Sequence, residues 1–111
     1  MAWQAIYRYA RISPRKARLI VDMIRGRDVQ EALNILKFTP NRAAVMISKT
    51  LTSAIANANE AEASVDELIV KEARVDQGPV MKRWQPKDRG RAHPILKPTS
   101  HIVLVVEEQK V

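Results

Sequence analysis

The stretch GPVMKRWQPKDRGRAHPILKP, residues 78–98, constrains the fold more than any other part of the chain. It holds four of the six prolines and two of the three glycines, so no helix can run through it and any strand ladder there is interrupted. It carries Lys82, Arg83, Lys87, Arg89, Arg91 and Lys97 against one acid, Asp88. On either side lie aliphatic runs, 68–75 and 101–106, that read as strands, and HIVLVV suits a central position in a sheet. A compact domain rarely keeps a connection of about twenty residues without a use for it, and repulsion among these cations favours disorder in the isolated chain. Against a mere linker stand Val80, Met81, Trp84, Ile95 and Leu96, set among the charges. The pattern fits a two-armed ribbon whose cations meet phosphates while its apolar groups wedge against bases. Ten residues per arm at ~3.3 Å each would reach about 30 Å from the body.

Upstream, 3–12 reads as a strand, with Ile6, Arg8 and Ala10 on one side and Ala5, Tyr7 and Tyr9 on the other. Ser13-Pro14 is a helix start, N-cap then Pro at the first helical position, and Gly26 stops that helix. Ala17, Ile20, Val21 and Ile24 keep core spacing, while Arg15, Arg18, Asp22 and Arg25 share another stripe. Asp28 with Glu31 forms a variant capping box for a second helix that buries Val29, Ala32, Leu33 and Leu36. Thr39-Pro40 repeats the cap pattern and opens a third helix to about residue 60, with Ala44, Ile47, Leu51, Ala54, Ile55 and Ala58 inward. At 111 residues the chain is one domain, an α+β fold of three helices on a small three-stranded antiparallel sheet, with the 78–98 hairpin protruding from it.

Nineteen Lys and Arg against twelve acids give a net charge of +7, which points to a polyanionic partner. Arg outnumbers Lys, which suits forked recognition of phosphate oxygens. A second cluster, Arg8, Arg11, Arg15, Lys16 and Arg18, has no acid before Asp22 and coincides with a helix N-terminus, where free N–H groups favour anions. The plain alternative for Arg15 or Arg18 is an ion pair with Asp22 on a solvated face.

No cysteine means no disulfide framework and no thiolate zinc site, and a reducing compartment follows. No stretch approaches the ~20 apolar residues that span a bilayer, and the start lacks the apolar region of a signal peptide, so a cytoplasmic protein is expected. The two histidines, His93 and His101, lie eight apart without a recognised metal spacing, and no nucleophile, base and orienting group are arranged together. Neither catalytic residues, a metal nor a cofactor is expected. A basic DNA-binding module is the competing reading, and the long hairpin speaks against it.

RYARISPRKARLIVDMIRG, AAVMISKTLTSAIANA and VDQGPVMKRWQPKDRGRAHPILKPTSHIVLVV together resemble the bacterial L-twenty-two family of large-subunit ribosomal proteins. The resemblance runs over 6–106 and includes the signature GRAxxILKxTSHIxxVV at 90–106. It implies a structural protein that binds large-subunit ribosomal RNA, supports assembly, touches neighbouring ribosomal proteins and lines the nascent-peptide exit tunnel with its hairpin. Neither a membrane nor a homo-oligomer is expected. The family's basic elbow and first helix map to Arg11, Ser13, Arg15, Lys16 and Arg18, and Arg8, Arg25 and Arg27 extend that RNA-binding set. Its hairpin contacts map to Lys82, Arg83, Lys87, Arg89, Arg91, Lys97, Thr99, Ser100 and His101. The tunnel-facing part, near the nascent peptide, maps to Met81, Lys82, Arg83, Trp84, Lys87, Arg89, Gly90 and Arg91. Three positions depart from the common pattern: Trp84 for an aliphatic residue, His93 for an acid and Pro98 for a cation.

Overall fold

A computed structural model describes residues 2–79, 81–87 and 91–108, and of 81–87 and 91–97 the main chain alone. Met81, Lys82, Arg83, Trp84, Lys87, Arg91 and Lys97 therefore have described backbones only, and Arg89 and Gly90 lie outside the described residues.

The chain runs β1 (Ala2–Ala10), α1 (Pro14–Ile24), α2 (Val29–Lys37), α3 (Arg42–Glu60), a 3-10 turn (Val65–Glu67), β2 (Leu68–Gln77), β3 (Met81–Lys87), β4 (Arg91–Lys97) and β5 (Ser100–Glu108). Strands β1, β5 and β2 form an antiparallel sheet in that order, so the aliphatic run of β5 is central, as its composition requires. Ile102, Leu104 and Val106 point from β5 into the core and meet Ala17, Val21 and Ile24 of α1, Val29 and Leu36 of α2, and Ile47, Leu51 and Ala54 of α3. The helices occupy one face of the sheet, which is the expected α+β arrangement.

Four local readings change. Ala10 is buried on the same side as Ala5, because Tyr9 has φ 56° in a bulge where β1 slips by one residue between Tyr7 and Ala10. The cap of α3 is Asn41, whose side chain accepts from the Ala43 N–H at 2.9 Å, and not Thr39. Thr39 instead donates its hydroxyl to the Ile35 carbonyl at 2.7 Å, closing α2 rather than opening α3. Asp28 does cap α2, accepting from Gln30 N–H at 3.1 Å, whereas Glu31 turns away to pair with Arg27. Leu33 and Ile55 pack only partly buried.

Gly26 closes the first helix with φ 79°, a conformation that costs a non-glycine residue about 1 kcal/mol or more. The turn it makes exchanges two hydrogen bonds with β2, Gly26 N–H to Val70 O and Val70 N–H to Arg27 O, both 2.8 Å. One open edge of the sheet is thereby covered.

β3 and β4 pair with each other, Met81 opposite Lys97 through Lys87 opposite Arg91, and with no other strand. They continue the β2–β5 ladder, whose last pair is Gln77 with Ser100. The molecule measures 67 × 25 × 16 Å, with a radius of gyration of 17.1 Å. A compact domain of this length would have about 13 Å. The excess is what a ribbon leaving the body produces.

Candidate nucleic-acid interface

The turn between β1 and α1 and the root of the ribbon are locked together by main-chain acceptors. Ser100, fully buried, donates its hydroxyl to Ile12 O at 2.6 Å. Thr99, also buried, donates to Pro79 O, and the Gly78 N–H reaches Thr99 O at 2.9 Å. His101 accepts the Tyr9 N–H on Nδ1 at 3.1 Å, and the two rings meet edge to face at 5.0 Å. With Nδ1 as acceptor, a neutral His101 carries its proton on Nε2. Thr99, Ser100 and His101 thus hold the root: the two hydroxyls face inward, and the His101 Nε2 is turned toward Gly78.

Helix α1 lies along the other flank. Arg18 donates Nε and Nη2 to Val75 O at 3.2 and 3.0 Å, and Arg25 donates to Ala73 O at 3.2 and 2.5 Å. Both carbonyls lie on the edge of β2 that β5 does not pair, so each arginine finishes an edge acceptor while its guanidinium stays exposed. A carbonyl satisfies a donor without cancelling the charge. Arg18 therefore remains a cation with donors to spare beside the ribbon root.

Ion pairs sort the cations further. Arg25 pairs with Asp22 at 2.8 Å, Arg27 with Glu31 at 2.6 Å and Lys71 with Glu107 at 3.6 Å. Arg74 sits between Glu72 and Asp76, whose hydrogen bonds and charges raise its pKa above the usual guanidinium value, the hydrogen bond to Glu72 being the largest cause. By contrast, Arg8, Arg11, Arg15, Lys16 and Arg18 make no ion pair among the described residues. Arg15 and Lys16 are exposed on the first turn of α1, where Ser13 has an extended backbone and makes no side-chain cap bond. The N–H groups of that turn are left for an outside acceptor.

Arg8, Arg11, Arg15, Lys16 and Arg18 are thus gathered at the elbow, next to the strands that lead into the ribbon. Arg25 and Arg27, at the far end of α1, are neutralised within the chain. What sequence reasoning missed is Arg42 and Lys49 on α3, seven residues apart and in no cluster. The available signal was the absence of any acid between Glu31 and Glu60.

The arrangement can bind a polyanion, and among the described residues no group of three His, Cys, Asp or Glu could hold a metal ion. Comparison with known proteins points the same way. The profile of the family described as ribosomal protein L22p/L17e matches residues 5–107. A protein named large ribosomal subunit protein uL22, from Syntrophotalea carbinolica, is 53% identical over 110 residues, covering 98% of this chain and 100% of its own. Proteins of the same name from Geobacter metallireducens and Desulfitobacterium hafniense are 54% identical over 102 residues and 55% over 108. They cover 91% and 96% of this chain, and 93% and 95% of their own.

Proposed function

The chain belongs to the ribosomal protein L22p/L17e family, and from that premise we propose that this structural constituent of the large ribosomal subunit binds large-subunit ribosomal RNA through its elbow and hairpin. It is not an enzyme. In the cytoplasmic ribosome it supports subunit assembly, touches neighbouring proteins, and lines the nascent-peptide exit tunnel with its hairpin.

One observation carries the RNA-binding part: the elbow cations, which make no ion pair among the described residues, are tied to the ribbon root through Ser100 and Ile12 and through Arg18 and Val75. Two separate basic segments then present phosphate donors in one fixed relation, so less freedom is lost when RNA binds both. Direct contact is assigned to Arg8, Arg11, Arg15, Lys16 and Arg18 on the body and to Lys82, Arg83, Lys87, Arg89, Arg91 and Lys97 on the arms. Ser13 offers its uncapped turn and His101 its half-exposed ring, whereas Thr99 and Ser100 act by holding the root. Arg25 and Arg27 contribute less, because Asp22 and Glu31 already screen them.

Arg15→Ala with Lys16→Ala is the clean test, since neither side chain has a described partner while Arg18 also anchors β2. The double variant should keep its circular dichroism, and its log affinity for large-subunit RNA should fall less steeply with log salt, by about 0.7 to 0.9 per lost phosphate contact. Duplex DNA at matched salt is the control. Equal affinity and slope for DNA and ribosomal RNA would leave only non-specific cation binding.

The tunnel assignment has its own test. A photocrosslinker placed at position 84, 87 or 89 of the assembled particle should capture a stalled, labelled nascent chain. Crosslinks confined to RNA and outer-surface proteins would show that the hairpin stops short of the lumen.

A further inference from the structure

The two edges of the sheet end differently. On β2 the outward groups are met from within the chain: Arg18 donates to Val75 O, Arg25 to Ala73 O, and Gly26 and Arg27 exchange hydrogen bonds with Val70. β1 pairs with β5 on one side and, among the described residues, with no strand on the other. Its outer row has one described partner, the Asn57 side-chain amide on Gln4 O at 3.3 Å. Strand groups two residues apart point the same way, so the N–H and C=O of Ile6 face outward with those of Gln4. Among the described residues nothing bonds to that Ile6 pair.

The chemistry of this row selects its partner. Alternating N–H donors and C=O acceptors are matched by another peptide backbone, which supplies both. A phosphodiester strand brings acceptors alone, and the outward carbonyls repel it.

The side chains along the edge agree. On the face of the sheet away from the helices, Val103 of β5 stands opposite Ile6 of β1; Val103 is 2% exposed and Ile6 40%. That apolar row stops at the edge, and a β-branched residue on an added strand would extend it. On the helical face α3 overhangs β1, and a groove of about 250 Å³ lies among Ala5, Ile6, Tyr7, Lys49, Thr50 and Ser53. It is smaller than the roughly 300 to 1,000 Å³ of small-molecule pockets and suits a side chain from a strand laid beside it.

Charge is ordered along the same line. α3 runs antiparallel to β1, since Asn57 lies at Gln4 while Lys49 and Ser53 lie at Ala5 to Tyr7. Lys49 marks one end of the open edge and has no carboxylate within 4 Å among the described residues. Glu60, about one turn past Asn57, and Glu107, opposite Ala2, mark the other end.

We propose that the free edge of β1 is a strand-addition site, on which an extended segment of a neighbouring protein pairs with Gln4 and Ile6. The segment places one side chain in the groove beside Ser53, sets a β-branched residue beside Ile6, and turns an acid to Lys49 and a base to Glu60. The inference rests on the reading that the chain touches neighbouring proteins, and gives that contact a place and a form.

The test uses assembled large subunits that carry the full chain with a photocrosslinking amino acid at position 4 or at position 53, one on each face of the edge. Both positions are exposed, so the chain should still enter the particle. Each should capture the same segment of one other protein, and the peptide recovered by digestion should hold an acid and a base on either side of a β-branched residue. Ile6→Pro removes an outward N–H and no bond to β5, so circular dichroism should stand while capture from both positions is lost. Ile6→Val keeps the N–H and should capture as before. Lys49→Glu leaves the backbone alone and should reduce capture several-fold; it decides the matter if the proline variant unfolds. Crosslinks to RNA alone, no crosslinks, or capture undiminished by these substitutions would overturn the inference while the chain still sediments with the subunit. A chain that does not sediment with the large subunit would instead overturn the reading on which the inference rests.

Discussion

Excising residues 80–98 and joining Pro79 to Thr99 through an Asn-Gly turn should leave the body folded while removing most of the affinity for large-subunit RNA. The arms carry six cations, Lys82, Arg83, Lys87, Arg89, Arg91 and Lys97. If each meets one phosphate, the salt slope should shrink by roughly 4 to 5, at about 0.7 to 0.9 per contact. The body should survive because β3 and β4 pair only with each other, while β2 and β5 keep their own ladder from Leu68 opposite Glu108 to Gln77 opposite Ser100. Asn-Gly is suited to turning two such strands. Circular dichroism and Tm of the shortened chain check the first half of this expectation, and salt titration checks the second. A shortened chain that binds with an undiminished slope would move the interface off the ribbon.

The second large effect belongs to Gly78. A Cβ there would sit 2.5 Å from Thr99 Oγ1, closer than real Cβ atoms approach, and 3.3 Å from His101 Nε2, a tight contact that needs that ring to give slightly. Gly78→Val should therefore push Thr99 off Pro79 O and disturb the residue that receives the Tyr9 N–H. Overpacking of this kind costs about 1 to 3 kcal/mol, readable as a fall in denaturation midpoint. Affinity for RNA should drop further than stability alone requires, because the arms lose their fixed relation to the elbow. Gly78→Ala with Thr99→Ala supplies the check: removing the obstructing hydroxyl should recover part of the loss seen in Gly78→Ala. Equal damage in the single and double variants would show that the contact with Thr99 is not the cause.

Much of this fold was legible because its signals are local. Ala17, Ile20, Val21 and Ile24 recur at helical spacing and are all buried. The run of β5 is too apolar to sit at an edge, and it lies between β1 and β2. Where one residue type can serve two neighbours, local reading failed. A hydroxyl before a proline can cap the helix ahead or satisfy the one behind, and Thr39 does the latter. An acid three residues past an N-cap can reach back or pair sideways, and Glu31 takes Arg27. The bulge at Tyr9 carries no glycine to announce its positive φ, so the side that Ala10 faces could not be read from alternation.

The site was legible as a composition but not as an assembly. Runs of cations without acids mark the elbow and the arms, and they are visible in one dimension. That Arg18 and Arg25 reach over α1 to carbonyls 57 and 48 residues away depends on tertiary packing, as does the bond from Ser100 to Ile12, 88 residues apart. These contacts turn two basic segments into one surface, and they give Thr99 and Ser100 inward positions that a motif cannot show. Arg42 and Lys49 escaped notice because two cations seven residues apart form no cluster until a helix stacks them.

The most direct measurement of the central claim is to express the tagged full chain in a bacterium, isolate large ribosomal subunits, wash them at high salt and sediment them. The chain should travel with the large subunit after the wash, because the body and both arms grip the same folded RNA, and the form lacking 80–98 should be released by it. Full-length chain recovered free, or spread equally over both subunits and bulk nucleic acid, would contradict the account.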